Sequence, residues 1–572
     1  MDLFLVLFVS YSFIRLLFTP NQDIANKQFL TIMLLTALYF LWKEYFRNGI
    51  RVNDDGTNSE SERISVPVII IVSVFLISGL LESFIGIAQL YNLLPGYINS
   101  YFKVNGTFVN PDNYSGYLST LLPFAFGVYK YIVPNSKRNL FIKYLSLITF
   151  LAVLYILPVL HERASIIASA IGIVFIFSFD SKLTSKFKAY ANTVIKKAFI
   201  TVSIIIALLI TAKLLYNIRP VSVDGRMLIW KVTGNIIKDH PIFGSGFDSF
   251  ATAYDNYQAK YFENNNATAK EKYLADNIKH ADNEYLQITS DLGIAGVSLW
   301  MGLILSALLV DNKNILDYRD KSENKFVVVG AKASLISVLT VAMFSSPLRI
   351  LPTFINFVFL LSSISAFNTS IERKSNFNTN FEFKIPSIIS IASLSAAIVL
   401  AVLIMSYNIK LIGAYKIWGD GNDLATFGSY KESISRLQDA YGTLKNNGEF
   451  LFTYGGTLML INNYKESLNL LEKSKINFTD PKQYINLGIC NESLNKVNEA
   501  EADYKYASNM IPGLLYPRYL LAKLLAKEKK INKFRSLCKE ILSSQEKIHS
   551  IAVSQMKDSL KILLSSLTNQ EQ

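Results

Sequence analysis

The sequence predicts an all-α protein, a polytopic bundle of membrane helices followed by an α-solenoid. Three observations carry this. The 572 residues are 51% hydrophobic and 18% charged, with a mean hydropathy of +0.28, whereas a soluble protein carries nearer a quarter charged residues. The apolar residues gather into long runs nearly free of charge: Val68–Leu80, Leu145–Leu160, Ile166–Phe179, Ala198–Leu215, Val327–Phe344 and Ile385–Met405. With their flanks, each approaches the roughly 20 residues that cross a bilayer. The last part of the chain is instead polar, with a helical period and an internal repeat.

In chain order the spans fall at about 2–18, 28–46, 65–90, 114–133, 140–160, 163–180, 197–216, 286–310, 326–346, 351–367 and 385–407, about eleven in all. The first has no basic region ahead of it and no small-residue cleavage site, so it reads as a span and not as a removed signal. Lys and Arg mark the sides. Twenty of them, Arg47, Arg63, Arg138, Lys186, Lys321 and Lys384 included, lie in the loops after the even-numbered spans. The opposite short loops hold four: Lys27, Lys103, Arg163 and Arg349. The positive-inside rule then puts the N-terminus in the cytoplasm. The long loop at about 217–285 and everything after 407 face outward, into the periplasm of a Gram-negative cell, with the bundle at 1–410 and the repeats at 411–572.

The formal charge of +13 does not indicate nucleic acid, because the basic residues sit in short loops and are not interleaved with stacking aromatics. Cys490 and Cys538 allow at most one bridge and read as buried small apolar residues. In the C-terminal part Tyr430-Lys-Glu-Ser recurs as Tyr464-Lys-Glu-Ser, and Ser433, Ser467, Ala500 and Phe534 follow at spacings of 34, 33 and 34. Leu487-Gly488, Ala500, Tyr504, Ala507 and Pro512 fit the tetratricopeptide pattern, in which paired helices interlock through small and aromatic positions. Such stacks form concave surfaces that bind extended peptides. A partner-binding role and a simple brace for the membrane part are the two readings.

Four polar clusters share the predicted outer face. Gly106-Thr-Phe-Val-Asn-Pro-Asp-Asn-Tyr-Ser-Gly116 is a turn before span 4. His161-Glu-Arg-Ala-Ser165 opens span 6. There Arg163 either snorkels to lipid headgroups or grips phosphate oxygens in a bidentate fork. Asp224-Gly-Arg-Met-Leu-Ile-Trp-Lys predicts an amphipathic helix lying on the membrane, with Ile229, Trp230, Ile236 and Ile237 toward the apolar side and Arg226 open to the same two readings. The Gly244-Ser-Gly246 turn after it lacks the lysine and the preceding strand of a phosphate loop. The fourth cluster, His280-Ala-Asp-Asn-Glu-Tyr-Leu-Gln, closes the long loop and places His280, Asp282 and Glu284 at the mouth of a membrane helix, where ionisable groups are costly and functional by default. The structural alternative is a capped helix start, with Asp282 or Asn283 as N-cap and His280 solvated.

Taken together, the clusters resemble the O-antigen ligase and polymerase family of bacterial polysaccharide assembly, over about residues 100–365. Gly106-Thr-Phe-Val-Asn-Pro is similar to the family's Gly-Thr-Phe-Gly-Asn-Pro turn, and Arg163-Ala-Ser-Ile-Ile167 to its arginine, three residues, leucine motif. Gly225-Arg226 through Trp230 and Asp239-His-Pro-Ile-Phe-Gly are similar to the start of its large external loop. The segment at His280 resembles its His-Ala-His-Asn-Glu-Tyr-Leu-Gln, with one departure. The histidine that many members carry just before the asparagine is Asp282 here, and the histidine present is two residues earlier, at His280.

The resemblance implies transfer of an undecaprenyl-diphosphate-linked glycan to an acceptor hydroxyl at the periplasmic face of the inner membrane. The acceptor would be lipid A-core, a growing polysaccharide or a protein. No cofactor and no metal are implied. Arg163 and Arg226, with Arg349 of the Ser-Ser-Pro-Leu-Arg turn, would hold the diphosphate as the leaving group gains charge. His280 or Asp282, or the two as a pair, would deprotonate the acceptor, with Asn110, Asn283 and Glu284 in support. If 280–284 is helical, His280 and Glu284 share a face while Asp282 points elsewhere. A transporter or scaffold is the contrasting class, but the halves show no internal symmetry and the polar residues gather at one face and not at the midplane.

Overall fold

The computed structural model describes residues 1–19, 22–51, 66–96, 102–179, 220–264, 267–309, 325–372, 387–544 and 549–569, with a few single positions between them. Among the described residues all regular structure is helical. The first group is α1 (Asp2–Leu17), α2 (Gln22–Arg51), α3 (Val66–Leu90), α4 (Pro111–Tyr131), α5 (Lys137–Ile156) and α6 (Arg163–Phe177). Three helices follow in the loop region: α7 (Pro220–Asp239), α8 (Phe250–Glu263) and α9 (Ala269–Leu274). Then come α10 (Glu284–Leu308), α11 (Lys325–Val341), α12 (Leu351–Glu372) and the long α13 (Ser387–Thr426). The C-terminal stack is α14 (Tyr430–Leu444), α15 (Gly448–Leu460), α16 (Tyr464–Ser474), α17 (Pro481–Ser493), α18 (Val497–Met510), α19 (Leu515–Lys527), α20 (Ile531–Ser543) and α21 (Ile551–Asn569).

Among the described residues, four stretches are long and apolar enough to cross a bilayer: Lys27–Arg47, Val66–Leu90, Lys137–Leu160 and Glu284–Leu308. Arg163–Phe177, Phe326–Val341 and Leu351–Ala366 are apolar but shorter. The sequence-predicted span at 197–216 and many of the predicted cytoplasmic basic residues, Arg63, Lys186, Lys321 and Lys384 among them, lie outside the described residues.

Helix α4 sits at the centre, with α3, α5, α6 and α11 around it and nearly every side chain from Tyr114 to Val128 buried. Its backbone approaches α11 so closely that a Cβ at Gly127 would lie 2.7 Å from the Gly330 Cα. Small residues at such crossings let membrane helices gain dispersion contact where water supplies no drive. Aromatic rings fill the space beside it: Phe75 stacks on Phe359 at 4.2 Å between centroids, and Phe124 meets both edge-on. At one end of the bundle Asp2 accepts from Tyr39 Oη at 2.7 Å and pairs with Lys43. At the other end, the C-terminus of α1 meets the loop region: Arg15 donates to the Gly244 carbonyl at 3.2 Å and the Phe247 amide donates to Thr19 Oγ1 at 2.8 Å.

That loop region has its own core. The stripe Leu228, Ile229, Val232 and Ile236 of α7 is buried against Phe250, Tyr254 and Phe262 of α8, with Ala275 and Ala281 beside them. Sequence reading laid this helix on the membrane through Ile229, Trp230, Ile236 and Ile237. Protein covers it instead, because α8 is apolar along one side as well and the two stripes bury each other.

The C-terminal helices stack as hairpins that repeat one contact. Ser433 Oγ donates to the Gly421 carbonyl at 2.6 Å, and Ser467 Oγ donates to the Gly455 carbonyl at 2.7 Å. In the next hairpin Ala500 takes the serine's place and the Tyr504 ring lies against Gly488. Cys490 and Cys538 are buried free thiols. The stack docks on the loop region and not away from it. Gln258 Nε2 donates to the Met510 carbonyl at 2.6 Å, Tyr506 Oη to Asn256 Oδ1 at 2.8 Å and Asn277 Nδ2 to Asp480 Oδ2 at 2.7 Å, while Lys547 pairs with Asp276 at 3.1 Å.

Candidate functional site

The 280–284 segment lies where the loop region meets the bundle, and each predicted cluster reaches that end along its own element. Before α4, Gln89 of α3 fixes the Gly106 turn: its Nε2 donates to the Gly106 carbonyl at 2.9 Å and its Oε1 accepts from the Gly106 amide at 2.8 Å. Asn110 then caps α4, accepting from the Asn113 amide at 2.8 Å, with Pro111 in the first turn. Asn110 is thus occupied by its helix. The residue it places is Asp112, whose Oδ2 accepts from Ser345 Oγ at 3.3 Å.

Arg163 opens α6 after His161, which adopts the left-handed conformation at φ 55°. Two residues on, Ser165 shares a 2.9 Å hydrogen bond with Ser115 of α4. Arg163 and Asp112 therefore start two helices that are tied together within one turn. Arg226 lies on α7 four residues before Trp230, hence on the same side of the helix, and the Trp230 indole N–H donates to the Ala281 carbonyl at 3.1 Å. That side of α7 faces the 280–284 segment. Arg226 is half-buried and makes no ion pair among the described residues.

The segment itself is held by its backbone. The Ala281 amide donates to Gln287 Oε1 at 2.8 Å, and the Glu284 amide donates to the Ala342 carbonyl at 2.8 Å. Asn283 caps α10, accepting from the Leu286 amide at 3.1 Å, and its Nδ2 donates to the Met343 carbonyl at 3.0 Å. The helix starts only at Glu284, and Asp282 takes a left-handed φ of 48°, a conformation that Asp tolerates through its short polar side chain.

This geometry separates the two candidate bases. The charges acting on Asp282 are Arg226 and Asp112. Those acting on His280 are Arg349, Asp248 and Lys279. Burial raises the Asp282 carboxyl above the usual carboxylate range; Arg226 opposes the rise and Asp112 adds to it. His280 keeps a solvent-exposed face, yet enclosure by protein and the Arg349 guanidinium hold its imidazole down at about 4. It is therefore neutral near pH 7, and among the described residues its ring makes no hydrogen bond. Among the described residues, His280 and Asp282 share no hydrogen bond.

Arg349 lies in a short 3-10 turn, Pro347–Arg349, and pairs with Asp248 and, at 3.2 Å, with Asp291. Glu284 is buried nearby, and Gln287 Nε2 donates to Asp291 Oδ2 at 3.1 Å. Sequence reading gave Arg349 to the diphosphate. In the structure its charge is already shared among carboxylates, two of which, Asp248 and Asp291, were not among the predicted site residues. Asp112 and Gln287 stood inside quoted motifs, whereas Asp248 had no sequence signal. Among the described residues, no group of three or more His, Cys, Asp or Glu side chains is placed to hold a metal ion.

Below Glu284, α10 is broken. Gly293 has φ 68° inside the helix, and the turn 241–246 fills the gap. The Ser245 amide donates to the Ser290 carbonyl at 2.8 Å and the Gly246 amide to the Asp291 carbonyl at 3.1 Å; in return the Ile294 amide donates to the Pro241 carbonyl at 2.9 Å. Tyr11 Oη takes the Leu292 carbonyl at 2.9 Å. The Gly244-Ser-Gly246 turn thus patches a helix whose freed backbone groups would otherwise go unsatisfied.

Comparison with known proteins agrees with the motif order. Residues 147–301 match the family model described as O-antigen ligase. A candidate polysaccharide ligase of Rickettsia typhi is 29% identical over 205 residues, covering 32% of this chain and 44% of that protein. Its counterpart in Rickettsia prowazekii is 28% identical over 199 residues, with the same coverage. The chain thus spans less than half the length of the curated relatives it matches. The family whose model matches is the one to which the ordered motifs pointed.

Proposed function

We propose that the chain transfers a glycan from a polyprenyl-diphosphate carrier to an acceptor hydroxyl, and that Asp282 is the base. One observation carries this reading. Asp282 stands at the position of the family's histidine and lies beside Ala281, which accepts from Trp230 on the Arg226 side of α7, and Arg226 acts on it whereas Arg349 and Asp248 act on His280. The acceptor oxygen attacks the anomeric carbon and its proton passes to the Asp282 carboxylate. The bond to the diphosphate breaks, and its electron pair leaves with the diphosphate. Arg226, with Arg163 at the neighbouring helix start, offsets the charge that develops there. A carboxyl lifted by burial is a better base than a solvated one, because its pKa lies nearer the working pH.

Arg349 does not serve the diphosphate in this reading; it neutralises Asp248 and Asp291 and so fixes the start of α10. The stacked hairpins, read as tetratricopeptide-like repeats, brace the loop region that carries Arg226. Ligation to lipid A-core is the favoured outcome, with polymerisation or transfer to protein as alternatives that share the donor. The test is to express the chain in Gram-negative cells lacking their own ligase and to follow the lipid-linked glycan. Product on lipid A, on protein or as longer polymer identifies the acceptor, and the Asp282→Asn and Arg226→Ala proteins should insert but yield none. Full transfer by both variants overturns the assignment.

A further inference from the structure

Helix α7, expected on the membrane, packs its apolar stripe against α8, but the turn after it stays uncovered. Ile242 and Phe243 are 59% and 58% exposed. Backbone bonds fasten this turn to the side of α10: the Ile294 amide donates to the Pro241 carbonyl at 2.9 Å, and the Ala295 amide to the Ile242 carbonyl at 3.2 Å. Arg15 of α1 donates to the Gly244 carbonyl at 3.2 Å. Ile294 is itself 58% exposed and heads a stripe on α10. Leu305 and Leu309, also exposed, fall on the same face, roughly three and four helical turns further on. Beside the turn, where Thr19 accepts from the Phe247 amide, Leu17 and Phe18 at the end of α1 are exposed as well.

We infer that the Pro241–Phe243 turn is a membrane anchor, with the Ile242 and Phe243 side chains sunk in the hydrocarbon beside α10. The partner is the bilayer itself. Continuity argues for lipid: Glu284–Leu308 is long and apolar enough to cross a bilayer, so its exposed apolar stripe faces hydrocarbon, and the turn is bonded to the head of that stripe. Irregular backbone is tolerated at such depth only where protein takes its polar groups. Here the carbonyls of Pro241, Ile242 and Gly244 are taken by α10 and α1. The loop that the sequence puts outside the bilayer thus returns to it at one turn. Interfacial apolar groups sink about 5–10 Å, whereas α10 rises unbroken from Glu284 to Leu292, about 12 Å of helix. The 280–284 segment therefore stands clear of the hydrocarbon, among the lipid phosphates. The meaning of that height rests on the reading given above: it sets Asp282 and Arg226 level with the diphosphate of a carrier whose chain stays in the bilayer.

The test is site-directed spin labelling of the full chain in phosphatidylcholine nanodiscs, with the unsubstituted protein, whose Cys490 and Cys538 are buried, as background. Ile242→Cys and Phe243→Cys probe the turn. Leu305→Cys on α10 is the hydrocarbon reference, and Lys465→Cys, exposed on α16, is the aqueous one. Power saturation compares collision with oxygen, which concentrates in hydrocarbon, and with a water-soluble nickel chelate. Labels at 242 and 243 should give the oxygen-to-chelate ratio of Leu305→Cys, several-fold above that of Lys465→Cys. Lys279→Cys, exposed next to the site, should stay with the aqueous reference. A ratio at 242 and 243 equal to the aqueous one overturns the anchor. So does shielding from both reagents, which would mean that protein or a second copy covers the turn. An oxygen-dominated ratio at Lys279→Cys overturns the height of the segment. Either turn position suffices if the other fails to give a monodisperse protein. The ratios are read without turnover, so failed glycan transfer with the expected ratios removes the enzymatic reading alone, and the converse result removes the anchor alone.

Discussion

Asp282 and His280 lie two residues apart and answer to different charges, Asp282 to Arg226 and Asp112, His280 to Arg349 and Asp248. The left-handed turn at Asp282 and the capped start of α10 produce this division. It has direct consequences for mutation and pH.

Replacing Asp282 with Asn keeps size and hydrogen bonding but removes the base. Transfer should fall by roughly 10²–10⁴-fold, the usual contribution of general base catalysis. His280→Asn should cost far less. The check is a transfer assay on membranes normalised to inserted protein, and equal losses in the two variants would contradict the assignment.

The pH profile distinguishes the same two residues. Burial raises Asp282, so activity should drop as pH falls through a value above the normal carboxylate range near 3.8. With Asp282 as the base, His280→Asn should leave that limb in place. A limb that vanishes with His280 would exchange their roles.

Arg349 balances buried carboxylates and should be sensitive to truncation. Arg349→Ala leaves Asp248 and Asp291 without their counter-charge, a loss of about 3–5 kcal/mol for a buried pair broken on one side. Combining it with Asp248→Asn and Asp291→Asn should recover much of that. Thermal unfolding of the detergent-solubilised proteins measures both effects.

Asp255 predicts an alkaline weakening of the contact between α8 and the C-terminal stack. It is 1% exposed, and burial lifts its carboxyl to about 8. In the unfolded chain it titrates near 3.8, so the native state alone holds the proton between those values. The stabilisation is complete below about 3.8 and is lost as pH rises through about 8. Hydrogen-exchange protection in α18, corrected for the intrinsic pH dependence of exchange, should fall as pH rises from about 4 to about 8, and Asp255→Asn should flatten the change.

Gly293→Ala should be among the most damaging small substitutions. A Cβ there would lie 2.2 Å from the Ile242 carbonyl oxygen, at a φ of 68° that alanine rarely adopts. Strain of this kind costs about 1–3 kcal/mol before any clash is counted, and the melting temperature should fall accordingly.

Much of the fold was legible because its signals are local. Apolar runs mark α3, α5 and α10, and the Ser433 and Ser467 spacing marks hairpins that close with the same Ser-to-Gly contact. The helix-capped motif at Asn283 was legible for the same reason. The environment of Arg349 was not, since Asp248 and Asp291 reach it from distant parts of the chain and nothing in the pattern near Arg349 specifies them. The covered stripe of α7 escaped likewise: an apolar stripe states that something must cover it, and whether that is lipid or α8 depends on where α8 folds.

The seam between the 241–246 turn and the break in α10 bears on how the loop region can behave. A movement that lifted the turn would have to shed the bonds to Ser290, Asp291, Ile294 and Ala295 together and leave the backbone at the break without its partners. The 241–246 turn and the break in α10 are therefore mechanically one part, and a movement of one carries the other.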